Sequence, residues 1–375
     1  MKKIALITPL LQPYRISFYE KLYNSDPNIE FKIFHGVSSK EKGRPSYKGE
    51  TNFLNVGLKE YEYFIPVKIV YNKGLLSKIK QYNPDLVILQ PIPGDISNRF
   101  VSNWAIKHKK KIIMWTCGFE PHRIGGALLK LKNRVVASLY KMGDMHLTYS
   151  TNASQYAQIM GVPANKIKVA YNGIEIDHLL ADEEKISRRS REIKNSLKLD
   201  GHITFIYAGG LIPEKRVDLL IKAFISLRRK YRNIKLLIIG DGPLQKELQE
   251  MATDKNIRFL GRIINEVDQY FAASDCLVLP GIGGLALNQA MYWGIPCIVS
   301  EADGTEDDLV IDGITGFRFE KDDLESLISA MERRLTTNDW KITVMMEKSK
   351  EIIRTKSNVN NMVDVFMSAI NNALN

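Results

Sequence analysis

Cysteine is scarce in this chain, with three residues among 375: Cys117, Cys276 and Cys297. An odd, sparse count without paired spacing is typical of proteins from a reducing compartment, and it argues against a disulfide framework or a zinc site. Long apolar runs are also missing, because no segment approaches the roughly 20 apolar residues of a membrane-spanning helix. The sequence therefore predicts a cytoplasmic protein, either soluble or held peripherally at the inner face of the membrane.

The apolar run at the start of the chain is too short for a secretion signal. It ends at Pro9, and no small-residue cleavage site follows it. We interpret this run as a first β-strand.

Acidic residues are outnumbered: 53 Lys and Arg stand against 42 Asp and Glu, a formal net charge of +11. Between 107 and 141, nine basic residues accompany one acid, Glu120. Apolar residues recur at helical spacing within 124–142, which predicts a basic amphipathic helix. Such a helix either binds an anionic membrane surface or packs on the core with a solvated basic face. No nucleic-acid-binding module is recognisable, so nucleic acid is not an expected partner.

Short apolar strands alternate with helical patterns in both halves of the chain. This alternation predicts parallel sheets covered on both faces, so the fold class is α/β with two Rossmann-like domains facing across a cleft. Ligands of such sheets bind at the carboxyl ends of the strands. The predicted strands are Ile4–Thr8, Phe31–His35, Leu86–Leu89, Ile112–Trp115, Met145–Tyr149, Thr204–Ala208, Lys235–Ile239, Ile257–Leu260, Cys276–Leu279 and Cys297–Ser300.

The length and an ordinary globular composition, 45% hydrophobic and 25% charged, indicate two domains. We place an N-terminal domain at 1–172 and a linker with a charged surface helix at 173–200. A C-terminal domain follows at 201–355 and a closing helix at 356–375. The polar segment 38–55 is predicted to be a loop.

Three glycine-bearing turns follow predicted strands in the C-terminal half, at 209–210, 240–242 and 281–284. The last turn leads from a buried strand into a helix that begins at Leu285. A glycine turn between a strand and a helix aims backbone N–H groups and the positive helix end at one point, which favours an anion such as phosphate. A tight turn that binds nothing is the alternative.

Residues 204–316 resemble the donor domain of the family-4 retaining glycosyltransferases, which have the GT-B fold. Segment 170–175 resembles the hinge of that family. The segments that carry the resemblance are Tyr207-Ala-Gly-Gly-Leu-Ile-Pro-Glu-Lys215, Ile238-Ile-Gly-Asp-Gly-Pro243, Arg258-Phe-Leu-Gly261, Ala290-Met-Tyr-Trp-Gly-Ile-Pro296 and Asp312-Gly-Ile-Thr-Gly-Phe317.

The resemblance implies a hexosyltransferase-type enzyme. It would move a sugar from a nucleotide diphosphate donor, here a UDP-sugar, to a glycan or a polyprenyl-diphosphate-linked acceptor in polysaccharide assembly. Retention of the anomeric configuration and no metal cofactor are implied as well. Lys215 occupies the position of the cation that neutralises the leaving diphosphate, where a fixed positive charge stabilises the transition state. The implied donor-binding residues are Gly209, Gly210, Arg216, Gly242, Arg262, Gly281, Gly283, Gly284, Leu285 and Gln289.

The sequence departs from the family at three donor-site positions. The phosphate-binding arginine falls at Gly210, and two glutamates eight residues apart fall at Gly281 and Gln289. Gln289 keeps an oxygen that accepts a hydrogen bond from a ribose hydroxyl. The contact to the donor sugar has to come from elsewhere, and we assign it to Glu306 in the acidic loop 301–308, with Asp303 as the alternative.

The N-terminal half resembles a bacterial surface-polysaccharide subgroup at 12–21 and again at 115–119. Cys117 stands where that subgroup has a histidine that contacts the donor sugar. We place Arg15, Cys117 and His122 on the acceptor or sugar side. Arg123 is a further cation of this kind. A surface position explains Arg15 and Arg123 equally well, and for His122 a surface position is favoured.

The departures at Gly210, Gly281 and Cys117 leave a second function open, a non-catalytic subunit that binds a sugar nucleotide or a glycan. A sugar-nucleotide epimerase on the same fold is a third possibility. It needs a carboxylate pair acting as acid and base, and the sequence offers no convincing pair.

Overall fold

The structure, a computed structural model, describes residues 1–37, 46–65, 67–118, 127–302 and 304–375. The chain divides into two compact units. Unit 1 comprises Met1–Asn172 and Val359–Asn375, and unit 2 comprises Gly173–Asn358. The segment 173–200, predicted as a linker and surface helix, lies within unit 2.

Unit 1 contains a sheet whose strands run through the first 169 residues. The strands are β1 (Lys2–Thr8), β2 (Ile29–Val37), β3 (Leu54–Ile65), β4 (Val67–Asn72), β5 (Leu86–Leu89), β6 (Lys111–Thr116), β7 (Met145–Thr148) and β8 (Ile167–Val169). The helices are α1 (Ile16–Tyr23), α2 (Leu75–Tyr82), α3 (Ile96–Lys107), α4 (Ala127–Tyr140) and α5 (Thr151–Ile159). The strand order is β4-β3-β2-β1-β5-β6-β7-β8. All neighbouring pairs are parallel except β3–β4.

Unit 2 contains a six-stranded parallel sheet. Its strands are β9 (Ile203–Ala208), β10 (Ile234–Ile239), β11 (Ile257–Gly261), β12 (Cys276–Leu279), β13 (Cys297–Val299) and β14 (Gly316–Arg318). Its helices are α6 (Asp177–Ser196), α7 (Val217–Arg228), α8 (Gln245–Met251), α9 (Val267–Ala272), α10 (Leu285–Tyr292), α11 (Thr305–Leu309), α12 (Leu324–Thr336) and α13 (Asp339–Thr355). The order is β11-β10-β9-β12-β13-β14, so the direction of winding reverses between β9 and β12.

The last helix, α14 (Val359–Leu374), returns to unit 1. Its apolar residues recur every three or four positions and are buried, as in an amphipathic helix packed on a core. The ring of Phe366 lies 4.9 Å from that of Phe18 on α1 and 5.0 Å from that of Trp115 on β6. The C-terminal helix is therefore part of the core of unit 1.

The predicted α/β class with two Rossmann-like sheets is confirmed. Each predicted strand is present, because continuous apolar runs such as β10, buried at every position, have few alternatives to a central parallel strand. The antiparallel β3–β4 hairpin was not predicted. The loop prediction for 38–55 is wrong at its end, since Leu54 already begins β3; residues 46–53 lie outside helices and strands, and 38–45 lie outside the described part.

Asp95 is buried and caps the N-terminus of α3, so its ionisation affects the stability of unit 1. Its carboxylate accepts a hydrogen bond of 3.0 Å from the backbone N–H of Asn98. Burial, and to a lesser extent the charge of Glu60, raise the pKa of Asp95 to about 6. Because the folded state then binds more protons than the unfolded state between about pH 4 and pH 6, the ionised carboxylate costs stability as the pH rises through that window.

We expect Asp95→Asn to stabilise the protein at pH 7 by on the order of 2 kcal/mol, because asparagine caps a helix as well as aspartate and carries no charge. The advantage should shrink as the pH is lowered toward about 4. Asp95→Ala loses the cap and should be less stable than Asp95→Asn by about 1 kcal/mol. Urea unfolding at several pH values measures all three proteins. Equal stability of the two variants at pH 7 would contradict the capping role.

Candidate functional site

The candidate site lies at the carboxyl ends of β9 and β12, where the strand order of unit 2 reverses. Open α/β sheets bind their ligands at this point. Two loops meet there: the β9 loop (209–216), which leads into α7, and the β12 loop (280–284), which leads into α10.

The two loops are joined through their backbones and through Lys215. The N–H of Ile282 donates a hydrogen bond of 3.1 Å to the carbonyl of Glu214. Lys215 ends a 3₁₀ turn, and its Nζ donates to the carbonyls of Ile282 and Gly283, both at 2.6 Å. The ammonium group is thus held on the β12 loop by the same segment that supplies the backbone contact.

Gly281 permits this close approach. A Cβ at that position would lie 2.2 Å from the carbonyl oxygen of Glu214 and 3.0 Å from the Cα of Lys215. No side chain fits without moving one loop away from the other. The glutamate that the family resemblance implies at position 281 therefore has no room in this chain.

Glu306 brings a carboxylate to the same loop. It lies in the first turn of α11, is 2% exposed, and its Oε1 accepts a hydrogen bond of 3.2 Å from the N–H of Gly283. A Cβ on Gly283 would come within 2.3 Å of that oxygen. Lys215 and Glu306 therefore both contact the backbone of Gly283, one at its carbonyl and one at its amide. The alternative carboxylate, Asp303, lies outside the described residues.

The start of α10 supplies further amide groups at this edge. Gly284, with φ +152°, precedes the helix in a conformation that other residues rarely adopt. The first N–H groups of a helix have no partner within it, and they carry the positive end of the helix dipole. Leu285 begins α10, and Gln289 lies one turn further, both half-buried. Asn288 instead anchors the helix through a buried hydrogen bond of 2.8 Å to Ser357 Oγ.

The glycines of the first two turns differ in what surrounds them. A Cβ on Gly209 would lie 2.7 Å from the Tyr207 hydroxyl, and one on Gly242 would lie 2.5 Å from the Leu211 carbonyl. At Gly210, no described atom lies within 4 Å of such a Cβ. The space for a side chain is therefore open at Gly210, where the family resemblance implies an arginine.

The guanidinium groups of two predicted donor-binding arginines lie beside carboxylates. The guanidinium of Arg216 is engaged by two carboxylates, with Nε 3.3 Å from Asp218 and Nη1 on Asp322. Arg262 is exposed after β11, and its Nη1 lies 3.9 Å from a carboxylate oxygen of Asp241.

The residues predicted on the acceptor side differ in their exposure. Arg15 is 5% exposed, so the surface alternative for it is wrong. Cys117 is exposed after β6. His122 and Arg123 lie outside the described residues, as do 124–126 and the side chains of the first six residues of α4. The membrane-binding role of 124–142 thus stays a prediction.

The described residues contain neither a candidate metal centre nor a candidate membrane span. They contain no cluster of three or more His, Cys, Asp or Glu that would hold a metal ion. Across the described ranges, no helix combines the length and the apolar character needed to cross a membrane.

Residues 189–355 match the family model described as Glycosyl transferases group 1. Among curated relatives, an uncharacterized glycosyltransferase of Methanocaldococcus jannaschii is 30% identical over 162 residues, 40% of each chain. The Staphylococcus aureus capsular polysaccharide biosynthesis glycosyltransferase CapM is 22% identical over 84% of this chain and 90% of its own. The Escherichia coli UDP-Gal:α-D-GlcNAc-diphosphoundecaprenol α-1,3-galactosyltransferase is 28% identical over 53% and 52%. The match spans 40 to 63% of the length of the first three relatives.

Solved structures resemble the whole chain. Anabaena HepE, crystallised in complex with UDP, superposes with a TM-score of 0.73 at 14% sequence identity and covers 99% of this chain and 100% of its own. The chain therefore has the two-domain GT-B fold, and residues 189–355 in its second unit are homologous to the group 1 glycosyltransferases.

Proposed function

We propose that this chain is a retaining glycosyltransferase that moves a sugar from a UDP-sugar to a glycan acceptor in polysaccharide assembly. The observation that carries the proposal is the junction of the β9 and β12 loops, where Lys215 and Glu306 contact Gly283 from two sides. This junction lies within the segment that matches the glycosyltransferase family. The UDP in the HepE structure and the UDP-Gal in the name of the E. coli relative support the nucleotide.

The diphosphate of the donor binds at the glycine amides and at the start of α10. Both groups supply N–H donors, and the helix end adds a positive potential. The Lys215 ammonium provides the full positive charge. Because Gly210 carries no arginine, Lys215 is the principal cation for the leaving group at this edge of unit 2.

The transfer proceeds on one face of the sugar. The bond between the anomeric carbon and the diphosphate oxygen breaks, and the diphosphate keeps the electron pair. The acceptor hydroxyl oxygen forms its new bond to the anomeric carbon on the same face, and its proton passes to the departing phosphate oxygen. Lys215 stabilises the negative charge that develops on the diphosphate, so its contribution is larger in the transition state than in the bound donor.

Glu306 takes the part of the carboxylate that Gly281 excludes, and it accepts hydrogen bonds from hydroxyl groups of the donor sugar. The amide oxygen of Gln289 accepts from the ribose. The reaction requires no metal in this proposal, because the lysine and the helix end carry the charge stabilisation.

The acceptor is a glycan linked to a polyprenyl diphosphate, bound by unit 1. The name of the E. coli relative supports this class of acceptor, and that of the S. aureus relative supports a role in polysaccharide assembly. The basic segment 124–142 holds the protein at the inner face of the membrane, where such a lipid lies.

Lys215→Met tests the donor site directly. UDP at about 100 times its dissociation constant stabilises its binding protein by about 2.7 kcal/mol, a shift of about 5–10 °C in Tm for a unit of this size. We expect this shift in the wild type and its loss in Lys215→Met, together with a fall in kcat of about 10²–10³. Lys222→Met is the matched control, since Lys222 pairs with Asp218 on the exposed face of α7.

UDP binding that survives in Lys215→Met would remove the lysine from the donor site. If neither UDP nor its sugar conjugates shift the wild type, the transferase proposal fails and a binding subunit takes its place. Parallel titrations with GDP, ADP and CMP identify the nucleobase.

Gly281→Ala tests the junction of the loops independently of charge. A methyl group there meets the Glu214 carbonyl and has to push the loops apart, so we expect a destabilisation of about 1–3 kcal/mol and at least a tenfold weaker affinity for UDP. Gly210→Ala is the control, because no described atom lies within 4 Å of the new methyl group and its φ is ordinary. Isothermal titration and thermal unfolding measure both variants. Similar losses in the two variants would contradict a special role for the junction.

A further inference from the structure

A cluster of aromatic side chains surrounds the buried cation of Arg15 in unit 1. This residue ends a 3₁₀ turn (Pro13–Arg15) between β1 and α1, and 5% of its surface is exposed. Arginine keeps its charge in proteins, so the turn buries a permanent cation. Burying a charge is costly unless the charge is paired and hydrogen-bonded.

The surroundings of the Arg15 guanidinium are aromatic. Its central carbon lies 4.6 Å from the ring centre of Trp115, 5.2 Å from that of Tyr149 and 5.4 Å from that of Tyr14. Its Nη1 lies 3.9 Å from the sulfur of Met362, a weak acceptor. No acidic side chain of the described ranges forms an ion pair with it. Ring faces attract a cation, but they do not satisfy its five N–H donors.

The same cluster contains a further donor that has no partner among the described residues. Trp115 is 1% exposed, and its Nε1–H makes no hydrogen bond with a described residue. The Tyr19 hydroxyl is fully buried close to Thr8 and Arg15. Buried polar groups without partners are rare in folded proteins. The cluster therefore has a surplus of donors and, among the described residues, no anionic acceptor.

The positions of these residues in the sheet also indicate a ligand site. Trp115 lies near the end of β6, Tyr149 follows β7, and Arg15 follows β1. The cluster is thus at the carboxyl edge of the sheet, where parallel sheets bind ligands. Tyr14 is its exposed member, at 47%, so a ligand enters past the Tyr14 ring.

We infer that Arg15, Tyr14, Tyr19, Trp115 and Tyr149, the Arg15 cage, form a binding site for a phosphate or diphosphate group, the anionic group of the acceptor. A phosphate group offers several acceptor oxygens, and the planar guanidinium binds two of them in parallel. The indole N–H and the Tyr19 hydroxyl supply further donors. The anionic site stands on the cage alone, and its assignment to the acceptor rests on the proposed function.

A purely structural role for Arg15 makes a different prediction. In that case the cation–π contacts and Met362 hold α14 on the sheet, and the loss of the charge lowers Tm. If the cage is an anion site that is empty in the free protein, Arg15→Met removes an uncompensated buried charge at similar side-chain length. Replacing a buried charge by an apolar group of similar size is often neutral or stabilising, so Tm should stay the same or rise.

The experiment titrates the full chain with inorganic pyrophosphate, farnesyl diphosphate and farnesol, followed by tryptophan fluorescence and calorimetry. Lys215→Met is the background, so that the donor site in unit 2 does not bind the diphosphates. We expect both diphosphates to bind and farnesol not to bind at the cage. Arg15→Met should weaken both diphosphates at least 100-fold, and in the otherwise wild-type chain it should leave the affinity for UDP unchanged. Arg99→Met, the same replacement at an exposed position of α3, should change nothing.

Pyrophosphate binding that persists in Arg15→Met, or a lowered Tm with unchanged binding, overturns the site. A loss of UDP affinity in Arg15→Met without any binding of farnesyl diphosphate overturns its assignment to the acceptor. If the wild type binds pyrophosphate through Arg15 but never binds UDP, the proposed function fails and the anion site stands. If Arg15→Met does not fold, Trp115→Phe takes its place in the test. It removes one N–H donor from the cage, and we expect it to weaken the affinity for pyrophosphate about tenfold.

Discussion

The contact between the β9 and β12 loops determines the rest of the candidate site. The Ile282 amide on the Glu214 carbonyl, together with the Lys215 ammonium on the carbonyls of Ile282 and Gly283, brings a cation and a backbone turn to the point where the strand order reverses. The contact leaves no room for a Cβ at Gly281. Glycine at position 281 is therefore a requirement of the loop junction, apart from any need of the ligand.

This constraint bears on position 281, where the family resemblance implies a glutamate. A carboxylate cannot extend from position 281 while the loops touch, and Glu306 reaches the same loop from α11 instead. The departure at Gly210 is of a different kind, since a side chain would fit there. The candidate site thus contains one lysine, one carboxylate and a helix start, without the arginine that the family resemblance implies at Gly210. With no arginine at Gly210, the proposed stabilisation of the leaving diphosphate depends mainly on the charge of Lys215.

The sequence could predict the parts of the fold that follow from local pattern. The apolar runs of β9, β10 and β12 and the glycine turns after them predicted the loops at the carboxyl edge of unit 2. The role of Lys215 came from the family resemblance, and Glu306 came from the acidic loop that follows β13. The β3–β4 hairpin was missed because only one face of β3 is buried, as at Leu58, so its pattern resembles a polar loop. The sequence could not predict the burial of Arg15 either. It depends on Trp115, Tyr149 and Met362, which are 100 to 347 residues away along the chain.

Hydrogen–deuterium exchange of the full chain with and without UDP tests the central claim most directly, because it reports where in unit 2 the nucleotide binds. We expect UDP to slow exchange in the β9 loop, in the β12 loop and in the first turn of α10, and to leave α12 and α13 unchanged. Saturating UDP that protects neither loop, or that protects only other segments, would contradict a donor site built on the contact between Lys215 and the β12 loop.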